Sequence, residues 1–122
     1  MKKTILLIED NAQNSYLTTF LLESAGFNVV SALDGTTGIE LAKQTLPDLI
    51  LLDIQLPMMD GYAVASALRS IDAMQRIPIV AVTSYAMVGD REKCLSAGCN
   101  GYIEKPINPE TFVAEVSTFL VS

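Results

Sequence analysis

Histidine is absent from this sequence, and the only cysteines are Cys94 and Cys99. Two thiols without a histidine cannot supply the four ligands of a structural zinc site, so that class of site is excluded. Free cysteine behaves in proteins as a small hydrophobic residue. We therefore expect both thiols to be buried and unpaired.

Positive charge is also scarce in the chain. Lysine and arginine together number 8 against 14 aspartates and glutamates, which gives a formal net charge of −6. A nucleic-acid-binding surface needs a basic stripe, so that function class is excluded. The sequence lacks an apolar run of about 18 residues, the length that a membrane helix requires, and Lys2 and Lys3 precede too few apolar residues for a signal peptide. We expect a cytoplasmic protein that binds neither nucleic acid nor membrane.

Length and composition indicate one compact domain. The chain has 122 residues, of which 50% are hydrophobic and 18% are charged. Such a chain is long enough to bury a core and too apolar to be disordered. We predict a single domain over residues 1–122.

Two hydrophobic patterns alternate along the chain five times. Nearly continuous aliphatic runs are typical of strands buried on both faces, and each run is followed by apolar residues at helical spacing. This alternation predicts an α/β fold in which helices cover both faces of a doubly wound parallel sheet. The predicted strands are 4–8, 27–32, 49–52, 79–82 and 101–104, and the first four predicted helices are 12–25, 36–44, 62–70 and about 89–97.

Two local signals refine these boundaries. Asp34-Gly35 predicts a turn before the second helix. Pro109 is predicted to be the first residue of the last helix, because proline suits the first helical position. The predicted inner face of that helix is Phe112, Val116, Phe119 and Leu120.

Polar residues follow four of the predicted strands directly. These residues are Glu9-Asp10, Asp53, Thr83-Ser84 and Lys105-Pro106. Functional groups gather at the carboxyl ends of parallel strands, so these side chains are expected to meet in one crevice. Three acids, a hydroxyl and an ammonium can hold a divalent cation and present one aspartate as a phosphoryl acceptor.

Four motifs in this order resemble the receiver domain of two-component response regulators, the CheY-like family. They are Ile8-Glu-Asp-Asn11, the segment from Asp48 to Gly61, Val82-Thr83 and Glu104-Lys-Pro106. The resemblance covers essentially the whole chain. It implies a (βα)5 flavodoxin-like fold with five parallel strands in the order 2-1-3-4-5.

The resemblance also implies roles for the crevice residues. Asp53 would accept the phosphoryl group, and Asp10, Asp53 and the backbone carbonyl of Gln55 would ligate Mg²⁺ or Mn²⁺. Glu9 would act mainly through a metal-bound water. Few protein ligands suffice, because Mg²⁺ usually keeps several waters.

Further positions complete the expected switch. Thr83 and Lys105 would contact the phosphoryl oxygens, Tyr102 occupies the aromatic switch position, and the Lys105–Pro106 bond is expected to be cis. Gln55 and Tyr85, two residues after Asp53 and Thr83, would tune the lifetime of the acyl phosphate.

The resemblance implies that the protein is a phosphoacceptor switch and not an enzyme with an external substrate. A sensor histidine kinase or a histidine phosphotransfer protein would be the donor. Phosphorylation would remodel a protein-binding face made of the fourth helix, the fifth strand and the fifth helix. A downstream protein target would bind that face, and the chain itself would be a monomer or a weak homodimer.

Three alternatives to this interpretation make different demands on the sequence. An aspartyl-phosphate phosphatase would carry a second aspartate where this sequence has Gln55. A flavin carrier would need a phosphate loop after the first strand, where Glu9-Asp10 would repel phosphate. The third alternative, a receiver excised from a larger hybrid kinase, would have the same site.

Overall fold

The structure is a computed structural model that describes residues 2–56, 58–84 and 88–120. Five strands and five α-helices alternate along these residues. The strands are β1 Thr4–Ile8, β2 Asn28–Ala32, β3 Leu49–Asp53, β4 Ile79–Thr83 and β5 Gly101–Glu104. The helices are α1 Ala12–Ser24, α2 Gly35–Thr45, α3 Gly61–Arg69, α4 Val88–Ser96 and α5 Phe112–Ser117.

The strands form one parallel sheet in the order β2-β1-β3-β4-β5. This result confirms the predicted α/β class, the parallel sheet and the strand order. The order reverses between β1 and β3, so the crevice for a ligand is expected outside the carboxyl ends of these two strands.

The core has one layer on each face of the sheet. Along β1, Leu6 and Ile8 belong to the core cluster that includes residues of α2, α3 and α4, whereas Ile5 and Leu7 belong to the cluster that includes residues of α1 and α5. Successive residues of a strand point to opposite faces, which explains why an unbroken aliphatic run fits a sheet covered on both sides.

Three helices begin at side-chain caps. The oxygens of Asn11, Asp34 and Asp60 each accept a hydrogen bond from the backbone N–H three residues later, at 2.7 to 2.9 Å. The prediction of a turn at Asp34-Gly35 is therefore wrong, because Asp34 caps α2 and Gly35 is its first residue. The same residue types favour turns and helix caps, since both use a short side-chain acceptor.

The last helix begins later than predicted. Pro109 is not its first residue, because α5 begins at Phe112. The carbonyl of Asn108 accepts the N–H groups of Thr111 and Phe112, at 3.1 and 2.9 Å, and its side chain accepts that of Glu110 at 3.0 Å. These bonds hold the residues around Pro109 in a turn. The predicted inner face is nevertheless buried or half-buried, at Phe112, Val116, Phe119 and Leu120.

The other predicted boundaries agree with the structure to within one residue. A short 3₁₀ helix, Asp72–Met74, lies between α3 and β4 and is not among the predicted elements. Both cysteines are free and buried, as expected. Within the described residues, no helix is both long and apolar enough to cross a membrane.

Candidate functional site

Acidic side chains from the ends of β1 and β3 meet in one crevice. Glu9 and Asp10 follow β1, and Asp53 is the last residue of β3. Each offers a carboxylate oxygen, and these oxygens all lie within 4.8 Å of one another. Glu9 and Asp53 are buried, whereas Asp10 is exposed. The structure thus brings together the three carboxylates that the sequence places at strand ends.

Lys105 supplies the opposing charge. Its Nζ lies 3.2 Å from Oε1 of Glu9 and 3.2 Å from Oδ2 of Asp53. Burial lowers the pKa of Lys105, but the carboxylates of Asp53 and Glu9 outweigh it and the net direction is upward. The lysine is therefore a cation at neutral pH. The bond from Lys105 to Pro106 is cis, as the sequence predicts.

Glu9 has an unusual ionisation. Burial, together with a hydrogen bond to Asp53, raises the pKa of Glu9 to about 7, against the opposing effects of the Asn11 N–H and Lys105. That N–H donates to Oε2 of Glu9 at 3.2 Å. One ammonium does not balance three clustered carboxylates, so the site favours an additional proton or cation.

Backbone contacts fix the end of β3. The N–H of Gly61 donates to the carbonyl of Ile54 at 3.0 Å. A Cβ at Gly61 would collide with Cα of Ile54 and lie 2.8 Å from the carbonyl oxygen of Asp53. Glycine at this position therefore lets α3 begin directly against the backbone that carries Asp53.

Gln55 connects the acceptor strand to the next strand end. Its backbone N–H donates to Oδ1 of Asp53 at 2.9 Å, and its side-chain Oε1 accepts the N–H of Ser84 at 3.1 Å. The role of its carbonyl as a metal ligand stays a prediction.

The predicted switch residues lie on β4 and β5. Thr83 is fully buried at the end of β4, and its carbonyl accepts the N–H of Lys105 at 2.8 Å. Tyr102 is half-buried in β5, with the guanidinium carbon of Arg91 at 5.7 Å from its ring centroid. Tyr85, predicted to tune the lifetime, lies outside the described residues.

A cleft of about 440 Å³ opens beside Glu9 and Lys105. It lies between α1 and the segment after β5, and Leu17 and Ile107 form part of its wall. Sequence reasoning did not identify these wall residues, because helical spacing alone does not say which side of α1 faces the cleft.

Aromatic residues cover the outer side of α1. The spacing of Tyr16 and Phe20 predicts a helix, which is correct, yet these side chains are 75% and 57% exposed. Thr18 and Leu22 are the buried residues of α1 instead. The helix thus presents an apolar surface to solvent next to the cleft.

The donor set fits a hard divalent cation. Carboxylate oxygens are the ligands that Mg²⁺ prefers, and one exposed and two buried acids leave room for bound waters. Burial is the main cause of the raised pKa of Glu9, and the hydrogen bond and the negative charge of Asp53 add to it.

Comparisons with known proteins agree with this geometry. The family model for the response regulator receiver domain matches residues 5–117. The polar-differentiation response regulator DivK of Brucella anthropi is 38% identical over 120 residues, which cover 98% of both chains.

Two solved structures extend the comparison. Chemotaxis protein CheY4 of Vibrio cholerae superposes with a TM-score of 0.95 at 25% identity, covering 98% of this chain and 100% of that one. The receiver domain of a sensor histidine kinase from Pseudomonas aeruginosa gives a TM-score of 0.89 at 35% identity, covering 98% of each chain, and it has a magnesium ion coordinated in its active-site cleft. The present chain belongs to the response regulator receiver domain family.

Proposed function

We propose that Asp53 accepts a phosphoryl group from a phosphohistidine, with Mg²⁺ held by Asp10, Asp53 and the carbonyl of Gln55, and with Glu9 acting through a bound water. The observation that carries this proposal is the placement of Asp53. Asp53 is 2% exposed, and its carboxylate belongs to the acidic cluster and lies 3.2 Å from the ammonium of Lys105. Mn²⁺, which takes similar oxygen ligands, is proposed as a substitute.

The chemistry is a transfer between two side chains. One carboxylate oxygen of Asp53 forms a bond to phosphorus while the bond from phosphorus to the donor imidazole nitrogen breaks. Mg²⁺, when bound, neutralises charge on the transferring group. Lys105 is already positioned to pair with a phosphoryl oxygen, and a preorganised cation stabilises charge at little cost in reorganisation.

The donor is proposed to be a sensor histidine kinase or a histidine phosphotransfer protein. The phosphohistidine must lie outside residues 1–122, because these residues contain no histidine. The exposed Tyr16 and Phe20 support a protein donor, since they give an apolar surface to α1, the helix that also lines the cleft beside Glu9 and Lys105.

Phosphorylation is proposed to act as a two-state switch. A phosphoryl group on Asp53 would attract Lys105 and the hydroxyl of Thr83, which sit at the ends of adjacent strands. The resulting shift would change the face formed by α4, β5 and α5, including Tyr102, and a downstream protein would read that change.

The chain is proposed to modify only itself. The position two residues after Asp53 holds Gln55, which cannot serve as the general acid of an aspartyl-phosphate phosphatase. Its side chain and Tyr85 are proposed to set how fast water hydrolyses the acyl phosphate.

The test is phosphotransfer from a purified phosphorylated histidine kinase, with the labelled residue identified by mass spectrometry. We expect Asp53→Asn to abolish uptake while the fold persists, because amide and carboxylate are nearly isosteric. Asp48→Asn is the matched control, since Asp48 is an exposed acid at the amino end of the strands, away from the acidic cluster. Its Oδ2 accepts the N–H of Thr4 there.

Two results would contradict the proposal. One is uptake by Asp53→Asn at the rate of the unmodified protein. The other is equal labelling of Asp53 in the presence and absence of a chelator, which would remove the role of the metal.

A further inference from the structure

Arg69, the last residue of α3, lies at the centre of a hydrogen-bond network far from the acidic cluster. Its Nε donates to the carbonyl of Gly98 at 2.8 Å. One terminal nitrogen donates to the carbonyls of Met74 and Ile77, at 2.7 and 2.8 Å. The other donates to Oδ1 of Asn100 at 2.6 Å. A guanidinium has five N–H donors in a fixed fork, so one side chain can hold several segments in a defined geometry.

The network attaches to the chain directly after the C-terminal end of α4. Gly98 lies two residues after α4, and its backbone packs so closely on Arg69 that a Cβ would collide with Cγ of the arginine. Asn100 adds a second connection, because its Oδ1 also accepts the N–H of Ile79 at 2.8 Å and its own N–H donates to the carbonyl of Ile79 at 2.7 Å. The C-terminal end of α4 is thus attached to α3 and to the start of β4.

The opposite end of α4 has a different environment. It begins five residues after Thr83, so along the sequence it is the end of α4 nearer to the proposed phosphorylation site. A cleft of about 570 Å³ between α3 and α4 is lined by Tyr62, Gly89, Lys93 and Ala97, among others. This space lies on the α3 side of the helix. A tilt of α4 toward α3 therefore meets open volume.

The contacts along the middle of α4 are also compatible with a tilt. Lys93 Nζ lies 5.1 Å from the ring centroid of Tyr62, and Arg91 lies over Tyr102 at 5.7 Å. A cation above an aromatic face is held by a broad electrostatic attraction, whereas hydrogen bonds weaken steeply as their angles change. A tilt can preserve the first kind of contact more easily than the bonds of Arg69.

We propose that Arg69 is a positioning residue that fixes the C-terminal end of α4, so that phosphorylation tilts the helix about Gly98 and displaces mainly its N-terminal end. This inference rests on the proposed function, because it concerns how the change at Asp53 and Thr83 spreads. It assigns to α3 and the 3₁₀ helix a part in the switch, although neither belongs to the proposed protein-binding face.

The test is backbone NMR of the whole protein with Mg²⁺, before and after addition of beryllofluoride as the phosphoryl mimic. We expect amide shifts to change at Thr83 and at residues 89–92, and to stay unchanged at residues 97–99. Equal changes at 89–92 and 97–99 would overturn the tilt. No change at Asp53 and Thr83 would instead overturn the proposed function, so the two failures are distinguishable.

The role of Arg69 is tested by Arg69→Gln, with Arg76→Gln as the matched control. Arg76 is an exposed arginine, so its substitution removes the same charge outside the network. We expect the mimic to change residues 97–99 in Arg69→Gln and not in Arg76→Gln, while Mg²⁺ affinity is unchanged in both. The pattern of the unmodified protein in a folded Arg69→Gln would overturn the role of Arg69. If that variant does not fold, Asn100→Ala, which removes one acceptor, is measured against the same expectation.

Discussion

At the scale of single residues, Glu9 makes the stability of the metal-free protein depend on pH. Its pKa is about 7 in the fold against 4.5 for an ordinary glutamate. The folded protein therefore holds this proton more tightly than the unfolded chain does. The resulting stabilisation is fully present below the unfolded value and is lost as the pH rises through the folded value.

We predict that the free energy of unfolding without metal falls between about pH 5 and pH 7, by an amount on the order of 3 kcal/mol. Glu9→Gln should remove this decline, because glutamine does not titrate. Urea unfolding in the presence of a chelator, at several pH values, measures this free energy for each protein. Glu23→Gln, at an exposed position in α1, is the control and should decline like the unmodified protein. A decline of the same size in Glu9→Gln would assign the effect to other groups.

At the scale of secondary-structure elements, the junction between β3 and α3 depends on Gly61. The position is tight against backbone atoms, which cannot rotate away as the end of a side chain can. A methyl group must therefore displace the start of α3 or the strand end that carries Asp53.

Gly61→Ala is predicted to cost about 1–3 kcal/mol of stability, the usual effect of overpacking, and to slow phosphoryl uptake by moving Asp53. Denaturant unfolding and phosphotransfer rates measure the two effects. Gly89→Ala is the control, because among the described residues no atom lies within 4 Å of a Cβ at this helical position. It should be neutral or slightly stabilising. Equal stability of both variants would show that the β3–α3 junction adjusts without strain.

The strands and the cluster at their ends could be predicted from sequence for a local reason. Continuous aliphatic runs identify strands buried on both faces. A charged residue directly after such a run therefore lies at the carboxyl end of that strand. Glu9, Asp53 and Lys105 were found in this way.

Contacts between distant segments carried no comparable signal. The bonds of Arg69 join residues that are up to 31 positions apart, which no local pattern reveals. The start of α5 was misplaced because Asn108 offers both a carbonyl and a side-chain oxygen to the following N–H groups, and this competes with the preference of proline for the first helical position. The outward side of α1 was missed because its first charged residue is Glu23, so polarity does not mark the exposed face.

At the scale of the whole molecule, we expect binding of the proposed metal to be coupled to folding. The formal charge of −6 includes three acids concentrated in one crevice, two of them buried. A cation that binds only the folded form stabilises it by about 1.4 kcal/mol at ten times its dissociation constant.

We predict that Mg²⁺ raises the midpoint of thermal unfolding and that NaCl at equal ionic strength raises it far less. Sodium chloride would only screen the surface charges, whereas Mg²⁺ would occupy the acidic cluster. Differential scanning calorimetry across a Mg²⁺ titration measures the gain. Asp10→Asn should reduce the gain, since it removes one proposed ligand. An identical response to the two salts would mean that screening, and not a site, stabilises the protein.

The two buried thiols can report chemically on local opening of the segment that joins α4 to β5. Cys94 lies in the last turn of α4 and Cys99 just before β5, on either side of Gly98. Burial raises the pKa of both thiols, that of Cys99 to about 12, so neither presents a thiolate to solvent while the fold is closed. A disulfide reagent added under native conditions therefore modifies only molecules in which this segment has opened. At saturating reagent the rate of modification equals the rate of local opening. The unaltered protein thereby reports how often the segment around Gly98, which Arg69 contacts, opens to solvent.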